Sequence, residues 1–203
     1  MSLTFYHAPQ SSASPVHWTL EELGIPYEKV LIDITKGENK KPEFLKLNPN
    51  GKVPVLVHNG VTIFESAAIQ IYLGETFGVE KGLFPAPGPR RGEAMMWIVW
   101  TNVTLGDALG RVGRNLAQWC PEDERNAKAG ERAKKEALEL LGMVEQALAG
   151  RDYLLGDQFT IPDLHLSSWL EYVRMMGIDF SGLSRLNAWL QRCTARPACA
   201  KAP

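Results

Sequence analysis

The spacing of apolar and polar positions changes character once along this chain. Up to about residue 78, short β-branched or aromatic runs alternate with helical stretches; from residue 95 onward the apolar positions recur at three and four, and no strand pattern returns. Residues 3–6 form an apolar, aromatic run that ends at Ala8-Pro9 and reads as a first strand. Val16, Leu20 and Leu23 mark one face of a helix, with Ser14 as expected N-cap, Pro15 as first helical residue, and Gly24 and Pro26 as its stop. Residues 27–34 alternate Val30, Ile32 and Ile34 against Lys29, Leu31 and Asp33, which predicts a second strand, followed by a solvated loop through Lys36, Gly37 and Lys41 and a short helical piece over 43–47. Residues 55–57 and 61–64 are the arms of a hairpin whose turn is Asn59-Gly60. Glu65-Ser66 then opens a helix carrying Ala68, Ile69, Tyr72 and Leu73, so the order is β-α-β-α-β-β-α, a mixed sheet covered by helices.

Beyond it, Pro85, Pro87 and Pro89 interrupt any periodicity and mark a linker. A long apolar helix is predicted over 95–119, locally weakened by Gly106, Gly110 and Gly113. Ala133, Ala137, Leu141, Val144 and Leu148 define the next helix, with Glu131 and Lys135 as an exposed i,i+4 pair. Phe159-Thr160-Ile161-Pro162-Asp163-Leu164 carries every part of a capping box with a hydrophobic staple. Asp163 is therefore assigned to structure rather than to acid chemistry. A last helix spans 183–193. The fold class is α/β plus all-α.

Charge and composition narrow the function classes. Lys and Arg total 22 against 23 Asp and Glu, a balance that gives nucleic acid and anionic membranes no handle. The first residues lack a basic, apolar leader and no apolar run is long enough to cross a bilayer, so a cytoplasmic protein with no membrane contact is expected. Cys120, Cys193 and Cys199 form no Cys-x-x-Cys, and His7, His17, His58 and His165 do not cluster, so neither a dithiol centre nor a metal site is expected. His17 is assigned to packing or surface.

The stretch with chemical content runs from Asn48 to Ser66. Pro54 stands at the start of a strand, and a cis Val53-Pro54 bond would turn the Val53 N–H and C=O outward to meet an extended peptide. Ser66 lies at a helix N-terminus, which favours an anion, and Lys52 is close in sequence. A small acidic peptide suits that edge. The same residues also fit an ordinary turn into a strand and a serine cap.

Asn48-Pro49-Asn50-Gly51-Lys52-Val53-Pro54-Val55-Leu56 followed by Glu65-Ser66 resembles the glutathione-binding segment of the glutathione S-transferase family. The likeness extends to the capping box at Thr160 and to Arg196-Pro197-Ala198. It implies a thioredoxin-like glutathione-binding domain over residues 1–78, a linker over 79–91 and an all-α domain over 92–203. It further implies that Val53 pairs with the cysteinyl backbone of glutathione, that Pro54 shapes that edge, that Glu65 and Ser66 hold the γ-glutamyl end, and that Lys52 lies near the glycyl carboxylate, with Gln10 also at the site.

For the thiol, Pro9-Gln10-Ser11-Ser12-Ala13-Ser14 is similar to the active loop of serine-type members and points to Ser11, whereas counting back from His17 and Leu20, as in the cysteine-type bacterial class, points to Ser12. A hydroxyl there would stabilise the thiolate. Tyr6 is a third donor, though more often core. The activity implied is transfer of glutathione sulfur to a small hydrophobic electrophile in a pocket against Trp97, Trp100 and residues up to Arg114, by a homodimer that needs no cofactor beyond glutathione as co-substrate. The alternatives are a glutathione-dependent disulfide reductase or peroxidase, and a non-catalytic interaction module of the same architecture.

Overall fold

The structure is a computed structural model describing residues 2–118 and 120–202. Its strands are β1 (Leu3–His7), β2 (Glu28–Leu31), β3 (Val55–His58) and β4 (Val61–Phe64), in the sheet order β2-β1-β3-β4. β1 is parallel to β2 and antiparallel to β3, and β3 pairs antiparallel with β4. Helices α1 (Ser14–Leu23), α2 (Pro42–Leu45) and α3 (Ser66–Leu73) complete the expected β-α-β-α-β-β-α order.

Alternation along β1 sorts the two faces. Phe5 is fully buried, lies opposite Leu56 in register, and its ring sits 5.9 Å from that of His17 in α1. Tyr6 points the other way, 6.3 Å edge-on from Phe44 of α2, where Ile32 and Val55 complete a second small core. Val16, Leu20 and Leu23 of α1 and Ile69 and Leu73 of α3 are fully buried where those helices pack on each other. Their burial is the main stabilising term, about 1.5–3 kcal/mol per large side chain.

β2 is shorter than the alternation predicts. The Asp33 carboxylate accepts hydrogen bonds from the N–H groups of Thr35 (3.0 Å) and Lys36 (3.2 Å) and turns the chain into a 3-10 helix, Ile34–Lys36, so Ile34 leaves the strand half-exposed. A second 3-10 turn, Glu38–Lys40, occupies the expected solvated loop.

The remaining helices are α4 (Pro89–Trp100), α5 (Gly106–Leu116), α6 (Ala127–Ala147), α7 (Ile161–Met175) and α8 (Ser184–Thr194). Helical structure starts at Pro89, earlier than the apolar pattern, because proline at the first helical position gives up only an N–H that has no partner there. A π-helical segment, Thr101–Leu105, joins α4 to α5, and α5 ends at Leu116; the Trp119 end of the expected helix lies outside the described residues. Arg111 meets Glu136 and Leu116 abuts Gly130, so α5 and α6 run antiparallel. On α6, Glu131 pairs with Lys134 at 3.7 Å and Lys135 with Glu139 at 3.9 Å, in place of the expected Glu131–Lys135 pair.

The capping box of α7 is present. The N–H and hydroxyl of Thr160 donate to the Asp163 carboxylate at 3.0 and 2.8 Å. Leu154 N–H and Trp189 Nε1 also donate to it, at 2.7 and 2.9 Å, so Asp163 ties the start of α7 to α8.

The chain divides into two compact units, one made of the described residues of Met1–Gly88 with those of Arg196–Pro203, the other Pro89–Ala195. No helix among the described residues is long and apolar enough to cross a membrane.

Candidate functional site

Strand register brings three loops to one end of the sheet. Tyr6 pairs with Val55 and Val55 with Phe64, so the residues after β1, before β3 and after β4 leave the sheet together. Those residues are 8–13, 48–54 and 65–66, which contain Gln10, Ser11, Ser12, Lys52, Val53, Pro54, Glu65 and Ser66.

The Val53-Pro54 bond is cis, and Pro54 is buried. The Val53 N–H makes no hydrogen bond to another described residue, whereas its carbonyl, expected to face out unpaired, accepts the Ser12 hydroxyl at 3.1 Å. The loop ahead of it is braced from below. Buried Asn48 donates its side-chain amide to the Lys52 carbonyl (2.7 Å) and accepts from Asn50 N–H (3.0 Å), while Asn39 donates to the Gly51 carbonyl at 2.7 Å. Gly51 has φ +61°, and a Cβ on it would fall 2.8 Å from the Asn39 carbonyl oxygen, so only glycine lets the loop lie this close to the 3-10 turn. Lys52 is left exposed.

Glu65 is the N-cap of α3 with φ 71° and ψ 118°, a conformation that a non-glycine residue adopts at a cost on the order of 1–3 kcal/mol. It places an exposed Glu65 beside the first turn of α3, whose N–H groups receive no side-chain cap at that position. Ser66 is buried at the first helical position. Gln10 also takes positive φ, 51°, at the exposed tip of the β1–α1 loop.

The serines divide their work differently from the sequence expectation. Ser14 does not cap α1; it is the first helical residue, the N-cap is Ala13, and no side chain fills the capping role. Ala13 already has helical φ and ψ, and Ser14 N–H donates to the Ser11 carbonyl at 3.1 Å, so the turn begins earlier than the Ser-Pro pair predicts. Ser11 takes over the bracing. Its hydroxyl donates to the Ala8 carbonyl at 2.7 Å and accepts the Ala13 N–H at 3.2 Å.

His7 and His17 lie behind this loop with their rings 5.8 Å apart; burial first, and the Lys29 charge second, hold both below the usual histidine range. Tyr6 is half-buried against Phe44 on the opposite face of the sheet from α1. The supports at Asn39 and Asn48, and the backbone of Glu65 and Gln10, were missed in the sequence. Asn48, three residues ahead of Gly51 in an Asn-Pro-Asn-Gly turn, is the one of these supports that turn chemistry could have found.

Comparison with known proteins agrees with this architecture. The family model described as glutathione S-transferase, N-terminal domain matches residues 1–75, and the one described as glutathione S-transferase, C-terminal domain matches residues 111–197. Glutathione S-transferase GstB of Escherichia coli (strain K12) is 34% identical over 185 residues, covering 90% of this chain and 88% of that protein. The chain belongs to the glutathione S-transferase family.

A glutathione transferase from Burkholderia graminis, solved with two glutathione molecules bound per subunit, is 29% identical at a TM-score of 0.90, with 99% of this chain and 87% of that one covered. Another from Phanerochaete chrysosporium, solved with oxidized glutathione, is 29% identical at a TM-score of 0.89, covering 99% and 93%.

Proposed function

We propose that the protein binds glutathione across the end of the sheet and joins it through its thiolate sulfur to a small hydrophobic electrophile, which gives up a leaving group or takes up a proton as the S–C bond forms. The observation that carries this reading is the convergence of an open Val53 N–H, an exposed Lys52 and the strained Glu65 at one corner. An extended peptide pairs with Val53, its glycyl carboxylate lies near Lys52, and its γ-glutamyl group meets Glu65 and Ser66, with Gln10 above. Ser11 or Ser12 then faces the sulfur. A hydrogen bond to the thiolate lowers a thiol pKa from its free value of about 8.5 and makes the nucleophile available near neutral pH. The reaction needs no cofactor besides glutathione. Homodimerisation and a cytoplasmic location belong to the same reading.

Reduction of disulfides by glutathione is the second reading. It is favoured by the relatives solved with two glutathione molecules or with oxidized glutathione, since two glutathione thiols and one substrate disulfide give one glutathione disulfide and two product thiols. Calorimetric titration with glutathione, followed by turnover assays with electrophiles, disulfides and peroxides, separates the cases. Conjugation without disulfide turnover supports the first reading, the reverse supports the second, and binding without turnover makes the protein a non-catalytic member. Sedimentation at micromolar concentration checks the dimer against a 22.6 kDa monomer.

A further inference from the structure

Ser11 and Ser12 adjoin in sequence, and their hydrogen bonds set them apart. A hydroxyl has one proton to give. Half-buried Ser11 gives its proton to the Ala8 carbonyl and receives the Ala13 N–H, so its own loop holds it from both sides. Ser12 is exposed, and its proton crosses 41 residues of sequence to the Val53 carbonyl. That carbonyl belongs to the backbone pair a bound peptide needs.

We propose that Ser12 is the hydroxyl that contacts the glutathione sulfur, that the Val53 carbonyl holds its proton while the site is empty, and that Ser11 is a positioning residue. The assignment rests on the glutathione site at Val53 described above. When the cysteinyl N–H takes the Val53 carbonyl, the Ser12 O–H turns about its side-chain torsions toward the sulfur, and the one backbone acceptor it gives up has already gained a new donor. The same turn by Ser11 would strip a partly buried carbonyl of a 2.7 Å hydrogen bond, a loss without a replacement donor. Thiolate stabilisation is thereby tied to occupancy of the site: the hydroxyl that activates the sulfur is released by the peptide that carries it.

The test compares wild type with Ser11→Ala, Ser12→Ala and Ser12→Thr. The pKa of bound glutathione is read from thiolate absorbance, and calorimetry gives Kd for glutathione and for S-methylglutathione, which has no ionisable sulfur. Ser12→Ala should raise the bound thiol pKa by roughly one to two units, the size of a hydrogen bond to a charged group. Its Kd for S-methylglutathione should stay within about twofold of wild type or tighten, because the Val53 carbonyl no longer has a competing donor. Ser12→Thr should restore the wild-type pKa. Ser11→Ala should weaken both ligands in parallel and leave the thiol pKa in place. A pKa rise confined to Ser11→Ala, or one pKa shared by all four proteins, overturns the assignment. Failure of wild type to bind either ligand overturns the glutathione site itself, a distinct result.

Discussion

Arg196 closes a two-bond fork on Glu22, 2.7 Å at each contact, across 174 residues of sequence. Glu22 is 7% exposed at its side chain and also receives the Trp18 indole N–H at 3.1 Å, so α1 holds a nearly buried carboxylate that the C-terminal segment neutralises. The C-terminal residues thus belong to the unit that carries the candidate site.

Arg196→Ala should lower stability by about 1–3 kcal/mol, since it leaves the Glu22 charge with one neutral donor while Arg196 itself is partly solvated. Arg196→Lys should recover only part, because an ammonium cannot form the fork. Denaturant midpoints of the three proteins check this. Equal midpoints for Arg196→Ala and wild type would mean that the fork contributes nothing.

Asp163→Ala should be among the most damaging changes in the helical unit, about 3–5 kcal/mol. It strands the Trp189 indole N–H and the Leu154 and Thr160 backbone N–H groups in the interior. Burial pushes the Asp163 carboxyl up from its usual range while those donors pull it down, which makes the site costly to perturb in either protonation state. Thermal unfolding followed by tryptophan fluorescence should show an early transition. Thr160→Ala, which removes one of four donors, should cost about 1 kcal/mol.

Gly51→Ala should weaken glutathione binding more than it lowers stability. The added Cβ meets the Asn39 carbonyl and Lys40 Nζ at 2.8 and 2.7 Å on a backbone of φ +61°, so the loop must lift at Lys52 and Val53. A Kd for glutathione at least about tenfold weaker, with a stability loss of about 1–2 kcal/mol, is expected. An unchanged Kd would show that the loop does not shape the site.

The architecture was legible because its signals are local and repeated. Asn59-Gly60 fixes a hairpin, Thr160 and Asp163 fix a helix start, and the change from period two to period 3.6 near the linker divides the chain. The misses share a cause. Whether Ser14 or Ser11 braces the start of α1 depends on the φ and ψ of Ala13, which is compatible with either arrangement. The Ser12–Val53 hydrogen bond depends on strand register bringing two loops together, information that no segment carries alone. Asp33 looked like the exposed face of a strand, but a short carboxylate competes with the ladder for backbone N–H groups and turned the chain. The strain at Glu65 has no local sequence signature, since glycine is the residue its backbone prefers.

The last prediction concerns acid. His165 in α7 is fully buried, with Nε2 2.6 Å from the Asn102 side-chain oxygen in the π-helical segment, and burial holds its pKa at about 3 against an ordinary 6.5. Below pH 6.5 the unfolded chain takes up a proton that the folded protein refuses until about pH 3, so stability falls as pH drops through that window. One proton corresponds to about 1.4 kcal/mol per pH unit, and the unfolded imidazole goes from half to almost fully protonated over this range, so the loss from pH 6.5 to 5 is about 1.6 kcal/mol from this residue. His7 and His17 are shifted in the same direction and add to it. The carboxylates with lowered values, Asp33, Glu136 and Asp179, lose their contribution only at lower pH. His165→Gln should flatten the decline between pH 6.5 and 5 by about one proton, even where it lowers stability at pH 7. Urea unfolding at half-unit steps of pH measures the slope directly, and an identical slope in wild type and variant would remove His165 as its source.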